Sequence, residues 1–167
     1  KGYNNAEGMK WDRIHEVWED KEVHVLNVSN TNQIENIFKS LWIGPKLSNL
    51  EYMCLNSFVQ NKHEFHLYTY EAVENVPEGV IIKNANEILD KSEIFTYKNG
   101  SVAAFSNLFR LTMLYKTGGV WVDTDVVCIK EFELNDNIII ASEPNETYNQ
   151  NIVTSFFLKL PKNSEIA

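Results

Sequence analysis

Cysteine is scarce in this chain: its 167 residues hold two, Cys54 and Cys128, both in apolar segments and without paired spacing. That argues against a disulfide framework or a cysteine zinc site and leaves two buried free thiols as the expectation. Positive charge is short as well. Lys and Arg number 15 against 23 Asp and Glu, for a formal net charge of −8 and a pI near 5.0. A nucleic-acid or anionic-membrane surface needs a basic stripe, so neither partner fits, although local basic groups around a bound phosphate remain compatible with this balance. No stretch approaches the ~20 apolar residues of a membrane span. No signal peptide, internal repeat or low-complexity run is visible.

What is present describes a globular domain. Hydrophobic residues make up 44% and aromatics 12%, enough for one ordinary core at this length. Asparagine is abundant at 20 residues, so the patterns Asn27-Val-Ser, Asn99-Gly-Ser and Asn145-Glu-Thr arise by chance and do not indicate secretion. The chain opens on Lys1 and stops at Ser164-Glu-Ile-Ala167 without a closing element, which reads as a fragment truncated at its C-terminus.

Along the chain, Trp11, Ile14, Val17 and Trp18 fall at helical spacing within residues 9–22, with the charged run Glu16–Glu22 as a solvated face. Val23–Val28 reads as a strand and Ser29–Gln33 as a polar linker. Residues 1–33 are thus expected to be an extension or the tail of a preceding domain, and residues 34–167 the main unit. A strand over Ile37–Ile43 ends at Gly44-Pro45, a strong turn signal. Ser48 with Glu51 three residues on forms a capping-box pattern at the head of a helix. Glu64–Tyr70 alternates like a strand, with Tyr68 and Tyr70 on one face, and Pro77-Glu-Gly79 precedes the apolar run Val80–Ile82. The strongest helix is Ser101–Thr117, started by Asn99-Gly100-Ser101 and stopped by Gly118. Strands at Ile138–Ala141 and Ile152–Leu160 follow. This alternation predicts an α/β fold with a mostly parallel central sheet.

After Gly118-Gly119 the chain runs Val-Trp-Val-Asp-Thr-Asp-Val-Val over residues 120–127. Two carboxylates, Asp123 and Asp125, interrupt an apolar strand, and burying like charges is costly unless something compensates them. As strand residues i and i+2 they share a face with Trp121, with Cα atoms about 6.5 Å apart. A divalent cation that prefers oxygen ligands is the simplest compensation. The preceding helix is apolar on nearly every side, predicting burial, yet carries Arg110, which cannot neutralise itself by losing a proton. Ser106 and Asn107 lie four and three residues before it on the same face. An internal Arg110–Asp salt bridge is the plainer reading and is compatible with a functional one. A metal position, polar donors and the aromatic surfaces of Trp121 and Trp42 together suit a nucleotide diphosphate, bound beyond the carboxyl ends of the strands.

The run Ala104-Phe-Ser-Asn-Leu-Phe-Arg110, Leu114-Tyr and Gly118-Gly-Val-Trp-Val-Asp-Thr-Asp125-Val resembles the DXD-containing sugar-binding region of glycosyltransferase family 32 and its relatives. Among these are yeast initiating mannosyltransferases, α-1,4-galactosyltransferases, bacterial capsule enzymes and the large clostridial glucosylating toxins. The resemblance spans roughly residues 35–160. It implies a GT-A-type fold and a UDP- or GDP-sugar donor held with Mn²⁺ or Mg²⁺. It implies transfer to a hydroxyl of a glycan or other acceptor with retained anomeric configuration, as in polysaccharide biosynthesis. Asp125 and Asp123 are then the metal residues, Asp123 also reaching donor hydroxyls. Arg110 contacts the donor sugar, with Ser106 and Asn107 beside it, and Trp121 lines the pocket. Leu41-Trp42-Ile43-Gly44 matches the element whose Trp stacks on the base. Asp123, Asp125 and Arg110 would form the catalytic set. The family commonly has Asp three residues before the Arg, where this chain has Asn107, so a charge that would orient Arg110 is missing there. The expected compartment is the cytoplasm, or the Golgi lumen for a eukaryotic source.

Two other classes share some of these features. Haloacid-dehalogenase-like phosphatases also carry Asp-x-Asp at a strand end, but Val127 replaces their Thr or Ser, and no paired aspartates follow Asp125. An inactive nucleotide-sugar-binding remnant would retain the donor site without turnover. His63 and His66 are spaced for opposite strand faces and do not form a metal pair.

Overall fold

The computed structural model describes residues 23–25, 36–145 and 150–167. The helix expected over residues 9–22 lies outside them. Among the described residues seven strands form one sheet. They are β1 (Val23–Val25), β2 (Phe38–Trp42), β3 (Phe65–Thr69), β4 (Val80–Asn84), β5 (Gly119–Val122), β6 (Ile139–Asn145) and β7 (Gln150–Leu160), in the order β1-β6-β7-β5-β2-β3-β4. Parallel pairing joins β4, β3, β2 and β5, while β5, β7, β6 and β1 pair antiparallel. In the parallel half helices bridge β2 to β3 and β4 to β5, residues 70–79 connect β3 to β4 without a helix, and the C-terminal hairpin β6–β7 extends the sheet beyond β5.

Among the described residues one α-helix covers each face. Helix α1 (Asn49–Gln60) starts at the capping box expected from the sequence. The Glu51 carboxylate accepts the Ser48 N–H at 3.0 Å, and the Ser48 hydroxyl accepts from the Leu50 N–H at 3.2 Å. Its Cys54, Leu55 and Phe58 pack on Phe38, Phe65, Val120, Val122 and Phe157. On the other face helix α2 (Ala103–Thr117) sets Phe105, Phe109, Met113 and Leu114 against Leu41, Tyr68, Trp121, Leu158 and Leu160, with Tyr70 at the margin. The helix is not buried all round as its composition predicted. Leu108, Leu111 and Tyr115 form an exposed stripe, because α2 covers the sheet as an outer layer and has one buried face. Its start also differs from a side-chain cap on the helix itself. Asn99 Oδ1 accepts from the Ser101 N–H, and Ser101 Oγ from the Ala103 N–H, so two successive side-chain turns lead into it.

The corner between α2 and β5 depends on glycine. Gly118 has φ +61° and ψ −166°, a region essentially restricted to glycine, and a Cβ there would sit 2.8 Å from the Lys162 backbone N. The buried Lys39 ammonium donates to the Gly118 carbonyl at 2.7 Å and to Thr117 Oγ1 at 3.0 Å. It thereby supplies positive charge to the helix C-terminus. This corner fixes where β5 begins and hence where its aspartates emerge.

Candidate functional site

Strand β5 ends at Val122, one residue before the aspartates. The sequence placed Asp123 and Asp125 within the strand and on one face with Trp121. The structure places them instead at its carboxyl end, where the Val126 N–H bonds the Asp123 carbonyl at 3.2 Å and closes a tight turn. Asp123 is still held in the sheet by its own N–H, which donates to the Phe156 carbonyl of β7 at 2.9 Å. Turning at this point relieves the conflict of two carboxylates in an apolar run, because both become half-exposed instead of buried.

The two carboxylates have different surroundings. Asp123 Oδ1 accepts from Arg110 Nη2 at 2.7 Å and from the Trp121 indole Nε1 at 2.8 Å. The Arg110 guanidinium carbon lies 4.9 Å from the centre of the Trp121 ring, within cation–π range. Its other terminal nitrogen, Nη1, donates to Ser155 Oγ on β7. The Arg110 side chain is 6% exposed and that of Asp123 26%. The salt bridge between helix and strand anticipated for Arg110 is therefore present, and its acid is Asp123. Asp123 also supplies the negative charge that Asn107 does not. Asn107 is exposed on the helix, one turn from Arg110, and Ser106 is half-buried.

Asp125 sits on the other side of the turn, toward α1. Its charge contributes, after burial, to pushing the Cys54 thiol up to about 12. Trp42 closes β2 on this same side, against the core that contains Val122 and Val126. Leu41 and Ile43 point to the α2 side. Trp42 and Trp121, read from the sequence as surfaces of one pocket, thus lie on opposite faces of the sheet, and only its carboxyl end connects them. Gly44, with φ +149°, lies beside the Trp42 ring, where a Cβ would make ordinary contact with Nε1 at 3.4 Å. That indole nitrogen is buried and has no hydrogen-bond partner among the described residues.

The site therefore wraps around one end of the parallel strands. Trp121, Arg110 and Asp123 stand on the α2 side, Trp42 and Asp125 on the α1 side, with the Asp123–Asp125 turn between them. Open α/β sheets gather ligands at this end. Among the described residues no group of three or more His, Cys, Asp and Glu side chains could hold a metal by itself. Two carboxylates, one of them already engaged, fit a Mg²⁺-like ion that completes its shell with water and substrate phosphate, and do not fit a zinc cage. Ser155 was missed by the sequence reading. It is one serine in a polar-apolar strand, and nothing local marks it as a partner of Arg110.

The two thiols are buried and free, as expected, and burial also pushes Cys128 up to about 11. His63 packs among Phe38, Phe58 and Phe132, while His66 bonds Glu64 at 2.7 Å, so the two do not share a site. No helix among the described residues is long and apolar enough to cross a membrane.

No curated protein matches the chain. Five chains of solved structures do. One, described as the PaToxG glycosyltransferase, is 16% identical, with a TM-score of 0.49 over 80% of this chain and 57% of its own. The chain thus spans little more than half of that structure's length. The family model for the glycosyltransferase sugar-binding region containing the DXD motif matches residues 2–145, most of the sequence and all of the Arg110-to-Asp125 segment. The chain belongs to that family of DXD-containing glycosyltransferase sugar-binding regions.

Proposed function

We propose that the chain binds a nucleotide sugar together with Mn²⁺ or Mg²⁺ and serves as the donor-binding part of a retaining glycosyltransferase acting on a hydroxyl acceptor. The observation that carries this reading is the unequal pair at the end of β5. Asp123 is tied to Arg110 and Trp121, and Asp125 stands at the corner of the turn, half-open to solvent. A structural salt bridge needs only the first aspartate, so the second is available to a ligand.

In this reading Asp125 holds the cation, with Asp123 beside it as the second metal residue. When bound, the ion would offset the charge that develops on the diphosphate leaving group. The chain's own residues supply the rest. Arg110 orients the Asp123 carboxylate, the buried Trp121 backs both from the α2 side, and Trp42 presents an aromatic face at the end of β2 for the base. Asn107 and Ser106 stand near the Arg110 side of the helix as hydroxyl-directed donors. The donor in this reading is a UDP- or GDP-linked sugar, and the acceptor hydroxyl belongs to a glycan, as in polysaccharide biosynthesis.

Isothermal titration of UDP- and GDP-sugars with and without Mn²⁺ tests the proposal. The expected result is donor binding that requires the cation. Failure of every donor to bind with metal present would overturn it, and binding without hydrolysis or transfer would favour the inactive remnant.

A further inference from the structure

Arg110 is held at both ends of its guanidinium. Nη2 reaches Asp123, Nη1 reaches Ser155, and the ring of Trp121 lies against the plane. A single Nη–carboxylate bond lets a guanidinium swing about that bond. A second anchor on the other nitrogen fixes its plane, and with it the direction from which Asp123 is gripped. That anchor is not delivered by a regular strand. Near the sheet's centre Trp121 faces Leu158 and Val122 faces Phe157, and Phe157 belongs to the α1-side core. In an unbroken strand Ser155 would share the Phe157 face and point away from α2.

The β6–β7 ladder is broken at this position. From Ile140 to Ser142 strand β6 advances two residues, while its partners on β7 run from Leu158 to Val153, five residues. The excess on β7 falls across Ser155, and such bulges re-aim side chains beside functional sites. The Ser155 hydroxyl is thereby turned toward the α2 side and Arg110. The irregularity also brings the consecutive residues Phe156 and Phe157 into the same α1-side core, so one break in alternation serves both that packing and the turn of Ser155 toward Arg110.

We propose that Ser155 is a positioning residue of the donor site, acting through Arg110 on Asp123, with the β7 bulge as the device that aims it. The role in donor binding rests on the proposed function, but the clamp itself is a property of the chain alone. Two measurements separate them. The first is NMR of the Arg110 guanidinium, in which rotation held at both nitrogens gives separate Nη proton signals. Wild type should show them resolved, Ser155→Ala averaged, and Ser155→Thr, which keeps the hydroxyl, resolved again. Resolved signals in Ser155→Ala, or averaged signals in wild type, would overturn the clamp. The second is the donor dissociation constant with Mn²⁺. It should rise about tenfold in Ser155→Ala and return in Ser155→Thr, with the thermal midpoint of both variants close to wild type. Equal affinity in wild type and Ser155→Ala would overturn the effect on the donor site. Absence of donor binding by wild type with a normal clamp by NMR would remove the proposed function and leave Ser155 as a structural anchor, which also overturns the donor role.

Discussion

Replacing Asp123 by Asn leaves a neutral amide beside a guanidinium that is 6% exposed and cannot shed its charge. Breaking a fully buried pair costs ~3–5 kcal/mol, and the partial exposure of Asp123 reduces the expected loss to about 2–3 kcal/mol. The Trp121 indole would also lose its charged acceptor. Asp125→Asn is a contrasting change. Asp125 is half-exposed at a turn corner, so stability should stay within about 0.5 kcal/mol of wild type. If Asp125 is the ligand of the cation, metal-dependent donor binding disappears all the same. Urea denaturation and donor calorimetry on the two variants therefore give opposite patterns, with Asp123→Asn marked by lost stability and Asp125→Asn by lost binding alone. Equal stability losses would mean that the two aspartates share one structural role.

At the scale of elements, what was legible in the sequence was local. The Ser48–Glu51 capping box, the Gly118 corner and the strand Phe65–Thr69 each carry their signal in adjacent residues, whereas β4 showed only as the apolar run Val80–Ile82. The end of β5 was not legible, because apolar residues continue past Val122 to Cys128 and the stop is set by the turn hydrogen bond and by β7. The need of Arg110 for an acid was readable from its burial in an apolar helix, whereas Ser155 was not, since its contact depends on a bulge formed between distant strands. The exposed stripe on α2 shows the same limit, as composition does not say which faces a neighbour will cover. Local signals also differ in weight. Ser48→Ala removes one of two reciprocal bonds and should cost about 1 kcal/mol. Gly118→Ala forces an alanyl residue into a glycine-only conformation, about 1–3 kcal/mol by itself. It adds a contact of 2.8 Å with the Lys162 backbone, which cannot yield as a flexible side chain could. Denaturant midpoints should accordingly fall further for Gly118→Ala than for Ser48→Ala, and the reverse order would show that the corner adapts.

For the whole molecule the question is how charge and burial combine. A chain of net charge −8 repels an anionic ligand at long range, so the proposed donor site would draw its positive charge from Arg110 and a cation. Lowering the pH removes negative charge, but two histidines make acid unfavourable to the fold. Burial pushes His63 below its ordinary value against a weaker opposing pull from Glu131. His66 is lowered mainly by burial too, despite its bond to Glu64. A histidine with a depressed folded value binds protons more readily when unfolded, so stability is full above the ordinary value of 6.5 and declines as pH falls below it. Depressed carboxyls add a second decline at lower pH. Glu131, held down by Lys62, starts from 4.5, and Asp90, held down by Ser92, from 3.8. The thermal midpoint should thus fall between pH 7.5 and pH 5.5, before those carboxylates titrate. His63→Phe is the discriminating variant, since His63 already packs against Phe38, Phe58 and Phe132 and its Nε2 is buried without a partner among the described residues. A phenyl ring keeps the packing and removes the proton. The fall over this window should shrink to the share of His66, with little change in the midpoint at pH 7.5. An unchanged slope would assign the acid sensitivity to His66 and its neighbours at the amino end of the sheet.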